Sequence, residues 1–153
     1  MQFAEAYSHH NGRDQWRERD LDEWLTDIFQ KPELQIISGC TTQVRDHVRR
    51  EFAAQGWGYD VKIDQAFDLT VFGVKDDLAF QLQTGNMSRA PYDLLKLQHL
   101  FSVRRIEAAA LALPTKQAAS RIGSNIAHFE RVMSELELFN RTITLPIFLV
   151  GFE

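Results

Sequence analysis

A chain of 153 residues, 44% hydrophobic and 25% charged, has an ordinary globular composition and no surplus length for a second core, so residues 1–153 are expected to form one domain. The longest apolar stretches, such as Ile106 to Leu113, are far too short to span a bilayer, and His9, His10 and several carboxylates stand where a signal peptide needs an apolar core. A soluble, cytoplasmic protein with no membrane partner is expected, and the single Cys40, read as packing, excludes an internal disulfide or a cysteine metal cage.

The formal net charge of −4 argues against nucleic acid, because binding phosphates needs clustered Lys and Arg. The deficit is local. Residues 1–35 carry eight acids against four bases, while the remaining chain has thirteen of each sign. Between Ser88 and Arg121, the bases Arg89, Lys96, Arg104, Arg105, Lys116 and Arg121 meet only Asp93 and Glu107, which makes either a positive surface or an ordinary solvated helix face.

From Asp14 to Gln30, Leu21, Trp24, Leu25, Ile28 and Phe29 recur at helical spacing and Pro32 ends the run, predicting one amphipathic helix with an acidic outer face. A second helix follows Thr41 or Thr42 as N-cap, spaces Val44, Val48 and Phe52 four apart, and stops near Gly56; its outer face carries Arg45, Arg49 and Arg50. Val61 to Asn86 changes to an alternating period with turn chemistry at Gly73 to Asp77, predicting two or three antiparallel strands. Ser88 caps a helix reaching Phe101, with Pro91 in its first turn. A buried strand, Ile106 to Leu113, is closed by Pro114; a helix bearing Ile126, Phe129, Met133 and Leu136 follows Gly123 to Asn125, and a last strand runs from Pro146 to Phe152. This order predicts an α/β (α+β) fold, a mixed β-sheet flanked by helices on both faces. Trp16, Trp24 and Trp57 read as core anchors, and His9 and His10 as surface or packing residues.

If the strands pair about Lys75, Asp68 falls opposite Leu82 and its nearest polar neighbours across the ladder are Gln81 and Gln83. Those two glutamines project from one strand face, while Phe80 and Leu82 point into apolar packing. Hydrolysis of a phosphodiester suits a divalent cation held by oxygen ligands, and an Asp with a Glu-x-Lys provides them. Asp68 followed by the strand AFQLQTGN resembles the PD-(D/E)xK nuclease motif, with Gln81 in the acidic position and Gln83 in the lysine position. Glutamine at the second position is familiar in BglII-like restriction endonucleases; at the first it is not. The likeness continues through AEAYSHHNG (4–12), EFAAQGW (51–57), QTGNMSRAPYDLLKLQHLF (83–101) and LPIFLVGF (145–152), and so covers most of the chain.

The resemblance implies a restriction-endonuclease-like core, Mg²⁺-dependent hydrolysis of double-stranded DNA with Mn²⁺ as an alternative metal, and a homodimer on a palindromic site. On it, Asp68 binds metal, Gln81 stands where the acidic ligand belongs, and Gln83 orients water or the scissile phosphate. Glu51, on the second helix, adds a further acid, with Asp64 as its competitor. Asn86 and Arg89 either approach a DNA phosphate or form an ordinary turn, and Lys96 either contacts phosphate or faces solvent. A tight alignment moves the first aspartate to Phe72, which removes a second acid; the hairpin geometry favours Asp68. Because an amide brings no charge to a cation, two readings compete: a restriction nuclease disabled at Gln81, and a nuclease-fold module that binds DNA or protein without catalysis. A third is an interaction protein that uses its acidic amino-terminal helix.

Overall fold

The computed structural model describes all of residues 1–153. Its elements run β1 (Phe3–His9), α1 (Gly12–Arg17), α2 (Asp22–Asp27), α3 (Thr41–Ala54), β2 (Gly58–Lys62), β3 (Thr70–Lys75), β4 (Leu78–Leu82), a 3-10 turn (Met87–Arg89), α4 (Ala90–Ser102), β5 (Ala108–Pro114), α5 (Lys116–Ile122), α6 (Phe129–Leu138) and β6 (Ile147–Phe152). The six strands form one sheet in the order β1-β6-β5-β4-β3-β2. Strands β4, β5 and β6 are parallel, whereas β2, β3 and β4 form an antiparallel meander and β1 runs antiparallel to β6.

Parallel strands need crossovers, and crossover helices cover both faces of the sheet, so its middle strands read as unbroken apolar runs. Strand β5 is buried at all seven positions. Its Ala108, Ala110 and Ala112 face a cluster containing Trp16, Leu25, Val48, Phe52, Phe80 and Phe148. Ala109, Leu111 and Leu113 face the other cluster, with Leu94 and Leu97 of α4 and Phe129 and Val132 of α6. The mixed sheet with helices on both faces is therefore the one expected from the sequence.

Four local expectations are corrected. The single helix predicted from Asp14 to Gln30 is two short ones, broken where Asp20 takes φ 55°. The break lets Trp16 and Leu25 both reach complete burial and turns Arg19 back toward the sheet, where its guanidinium binds Asp77 in the β3–β4 turn. That bond holds the Asp77 carboxyl below its ordinary range. Strand β1, which the sequence pattern did not predict, pairs with β6 over Phe3 to His9. Helix α5, also unpredicted, is capped by the Thr115 side chain accepting from the Ala118 N–H at 3.2 Å. The helix expected after Asn125 begins only at Phe129, with His128 as N-cap.

Helix α1 lies hard against β6. A Cβ placed on Gly12 would come within 2.1 Å of the Ile147 carbonyl carbon, so only glycine allows this approach.

His9, at the end of β1, is buried with its Nε2 2.7 Å from the Ile143 carbonyl oxygen. Burial lowers its pKa from 6.5, the carbonyl bond opposes that shift, and neighbouring His10 adds to it. The unfolded chain thus binds this proton more readily than the folded one, so His9 contributes stability above pH 6.5 that is lost as pH falls through its lower folded value. Urea unfolding between about pH 7 and about pH 5 is expected to show stability falling with pH, and His9→Gln, which donates without titrating, should flatten that slope.

Candidate active site

The β3–β4 ladder pairs Gly73 with Phe80, Val74 with Ala79 and Lys75 with Leu78. The turn is therefore Asp76–Asp77, with Asp76 at φ 50°, and Gly73 to Lys75 belong to the strand. This overturns the pairing about Lys75 that set Asp68 opposite Leu82. Asp68 instead precedes β3, with its side chain 94% exposed and 3.6 Å from the Lys62 ammonium.

Beyond Gly73 the two strands part. Gly73 packs toward Phe52 and Trp57, and its neighbour Phe72 lies in the same aromatic cluster, so the strand's alternation breaks between them. The Phe72 N–H, freed from the ladder, donates to the side-chain oxygen of Gln81 at 2.9 Å. The Phe72 ring lies 5.8 Å from that of Phe52 and 5.4 Å from that of Phe80. Where the tight alignment puts the first aspartate, the protein has a buried aromatic residue bonded through its backbone to Gln81.

The parting strands open a cleft of 560 Å³ between α3, the sheet and the start of α4. Asp68, Phe72, Gln81, Gln83, Arg89 and Lys96 all border it, together with Arg45, Asp60, Tyr92 and Asp93. Glu51, Asp64 and Asn86 do not. Helix α3 buries Val44, His47, Val48 and Phe52; Arg45 borders the cleft, and Glu51 lies on the side away from it. There Glu51 sits 3.8 Å from His47, whose Nε2 is 2.7 Å from the Ile28 carbonyl. Asp64 accepts from the Ala66 N–H in the β2–β3 connection, and Asn86 caps the 3-10 turn by accepting from the Ser88 N–H at 2.9 Å.

Gln83 is a brace. Its amide nitrogen donates to Asp93, and its oxygen accepts from the Gly85 N–H at 2.7 Å, which fixes the turn out of β4. Asp93 is buried and lies 2.7 Å from the Lys96 ammonium, which also donates to the Thr70 carbonyl at 2.9 Å. Lys96 thus faces neither solvent nor a free anion; it neutralises the one acid on the inner face of α4. The spacing of Asp93 and Lys96, three apart on a helix, was visible in the sequence.

A divalent cation takes carboxylate and carbonyl oxygens that are free to turn toward it. In this cleft the Gln81 and Gln83 oxygens accept backbone N–H groups, Asp93 is held by Lys96, and Asp60 lies 2.6 Å from Arg49. Asp68, the most exposed of these acids, lies 3.6 Å from the Lys62 ammonium. No three or more His, Cys, Asp or Glu gather anywhere in the chain, and in this cleft no pair of free carboxylates converges on one point, so the residues here do not fit Mg²⁺ or Mn²⁺. The basic run from Ser88 to Arg121 is not one surface either: Arg89 and Lys96 border the cleft, but Arg104 and Lys116 border separate hollows.

The sheet order and the cleft where β3 and β4 part define the restriction-endonuclease fold. A structure of restriction endonuclease BglII complexed with a DNA 16-mer matches with a TM-score of 0.81 and 12% identity, covering 100% of this chain and 78% of that one. Free BglII matches with a TM-score of 0.73 and 13% identity over 97% of this chain and 78% of its own. No curated protein sequence matches. The family model for restriction endonuclease BglII/BglIII matches residues 4–152, and the chain belongs to that family.

Removing one partner of a buried ion pair leaves the other charge uncompensated. Lys96→Met is expected to cost about 3–5 kcal/mol in urea unfolding, whereas Asp93→Asn with Lys96→Met should recover much of that loss.

Proposed function

We propose that this protein binds double-stranded DNA as a member of the restriction endonuclease family whose cleft no longer carries out Mg²⁺-dependent cleavage. One observation carries the second half of that reading: Gln81 stands in the motif's acidic position, and Phe72, which the tighter alignment puts in the first position, is joined to it by a hydrogen bond, both without charge. DNA binding is supported by the family membership and by the DNA-bound state of the BglII structure with the same fold. It is supported further by Arg45 and Arg89, which border the cleft with no carboxylate partner.

Plasmid DNA of mixed sequence, incubated with Mg²⁺ or Mn²⁺, should remain uncut by this chain and also by its Gln81→Glu variant, because Phe72 still buries an aromatic ring where a second ligand is needed. Discrete fragments from Gln81→Glu alone would make Gln81 the sole lesion; fragments from the unaltered chain would sink the reading.

The proposal extends to a homodimer, since the two strands of a palindromic duplex present the same surface twice to a two-fold symmetric protein. Light scattering of the complex on a duplex is expected to give a protein mass of two 17.7 kDa chains. A single chain per duplex would remove the dimer from the proposal.

A further inference from the structure

We infer that Arg45 is the resident cation of this cleft and takes a DNA phosphate directly, so that DNA binding needs no divalent metal. This inference rests on the proposed reading of the cleft as a DNA site.

Its basis is the pairing of the cleft's charges. Arg49, one turn along the same helix, lies 2.6 Å from Asp60, and Lys96 lies 2.7 Å from Asp93. Arg45 has no such partner: no carboxylate lies within ion-pair distance, and none of its N–H donors is taken by a protein group. It is half-buried all the same, with its guanidinium carbon 5.8 Å from the centre of the Phe72 ring. The ring face attracts the cation and holds it in the cleft beside the strand that carries Gln81. A guanidinium is always charged and presents five donors in a planar fork that matches two oxygens of a phosphate. Half-buried, held over the Phe72 ring and free of internal hydrogen-bond acceptors, it keeps its donors available to an anion.

The neutral pair of Phe72 and Gln81 makes the same point. Carboxylates at positions 72 and 81 would attract both a divalent ion and Arg45, and the guanidinium would compete with the metal for them. With Phe72 and Gln81 in place that competition is gone. With Phe72 and Gln81 neutral, Arg45, and Arg89 on the facing wall, are the cleft's cations without a carboxylate partner.

The test is fluorescence anisotropy of a labelled, mixed-sequence DNA duplex at low salt, in EDTA and then in Mg²⁺. Affinity is expected to be equal in the two, or weaker in Mg²⁺ because the ion screens phosphates; tighter binding in Mg²⁺ overturns the inference. Arg45→Ala should weaken binding about tenfold, as expected for one lost charge-assisted bond. It should also lower the slope of log affinity against log salt by about one. Arg50→Ala, on the exposed face of the same helix and outside the cleft, should do neither, and Arg45→Lys should recover part of the affinity. If Arg45→Ala behaves as Arg50→Ala does, the inference fails and the DNA-binding reading stands. If the unaltered protein does not bind the duplex, both fall. The EDTA comparison uses the unaltered chain, so the metal-free half of the inference is tested even where a variant does not fold, and Arg45→Lys, which keeps the charge, tests the residue itself.

Discussion

Strand β5 has no side turned to water, and the size of its side chains decides how closely every other layer can approach. On one face it offers only Ala108, Ala110 and Ala112, and this small-residue floor makes room for the rings of Trp16, Phe52, Phe80 and Phe148. Large aromatics bury much apolar area each, so this layer is a principal source of hydrophobic stabilisation. Trp16 and Trp57 stack with ring centres 5.6 Å apart, and Phe52 meets Trp57, Phe72 and Phe80. The floor of the candidate site is the outer edge of that aromatic layer. Whatever chemistry the cleft has is therefore tied to core packing, and Phe72 belongs to both.

The opposite wall is organised by polarity. Gln83, Asp93 and Lys96 close a buried network in which each partner's need is met by another, and the network spans β4, α4 and the start of β3 through the Thr70 carbonyl. A fully satisfied network of this kind fixes geometry because any slip leaves a buried group unpaired. It positions the turn from Thr84 to Asn86 and the Arg89 that follows. The same glutamine that resembles a nuclease residue in sequence serves here as the joint between sheet and helix.

Much of the scaffold was legible in the sequence because its strongest signals are local. The unbroken apolar run of β5 and the four-residue spacing of Val44, Val48 and Phe52 each describe a burial pattern complete within one element. What was not legible depends on distant partners. The break at Asp20 goes with Arg19 reaching Asp77, fifty-eight residues away, and β1 shows only partial burial before His9, which leaves no clear alternation. Within the site, the common face of Gln81 and Gln83 followed from strand geometry, but the hairpin register did not. Either Lys75 or the Asp76–Asp77 pair offers turn chemistry, and the choice shifts Asp68 out of the ladder. Arg45 could be placed on an outer helix face; that this face borders a cleft is a property of how α3 packs, which no local pattern encodes.

The bond from the Phe72 N–H to Gln81 leaves the two positions with unequal tolerance of substitution. A carboxylate oxygen accepts an N–H as well as an amide oxygen does, so exchange at position 81 between acid and amide passes over level ground. Position 72 is different, because a charged side chain there would displace a ring from among Phe52 and Phe80 and would itself be desolvated. The two positions therefore differ in what they tolerate: position 81 accepts either an acid or an amide, while position 72 is held by the aromatic layer. The shape of the present cleft is thus held from beneath, by the core, as much as by the polar groups that line it.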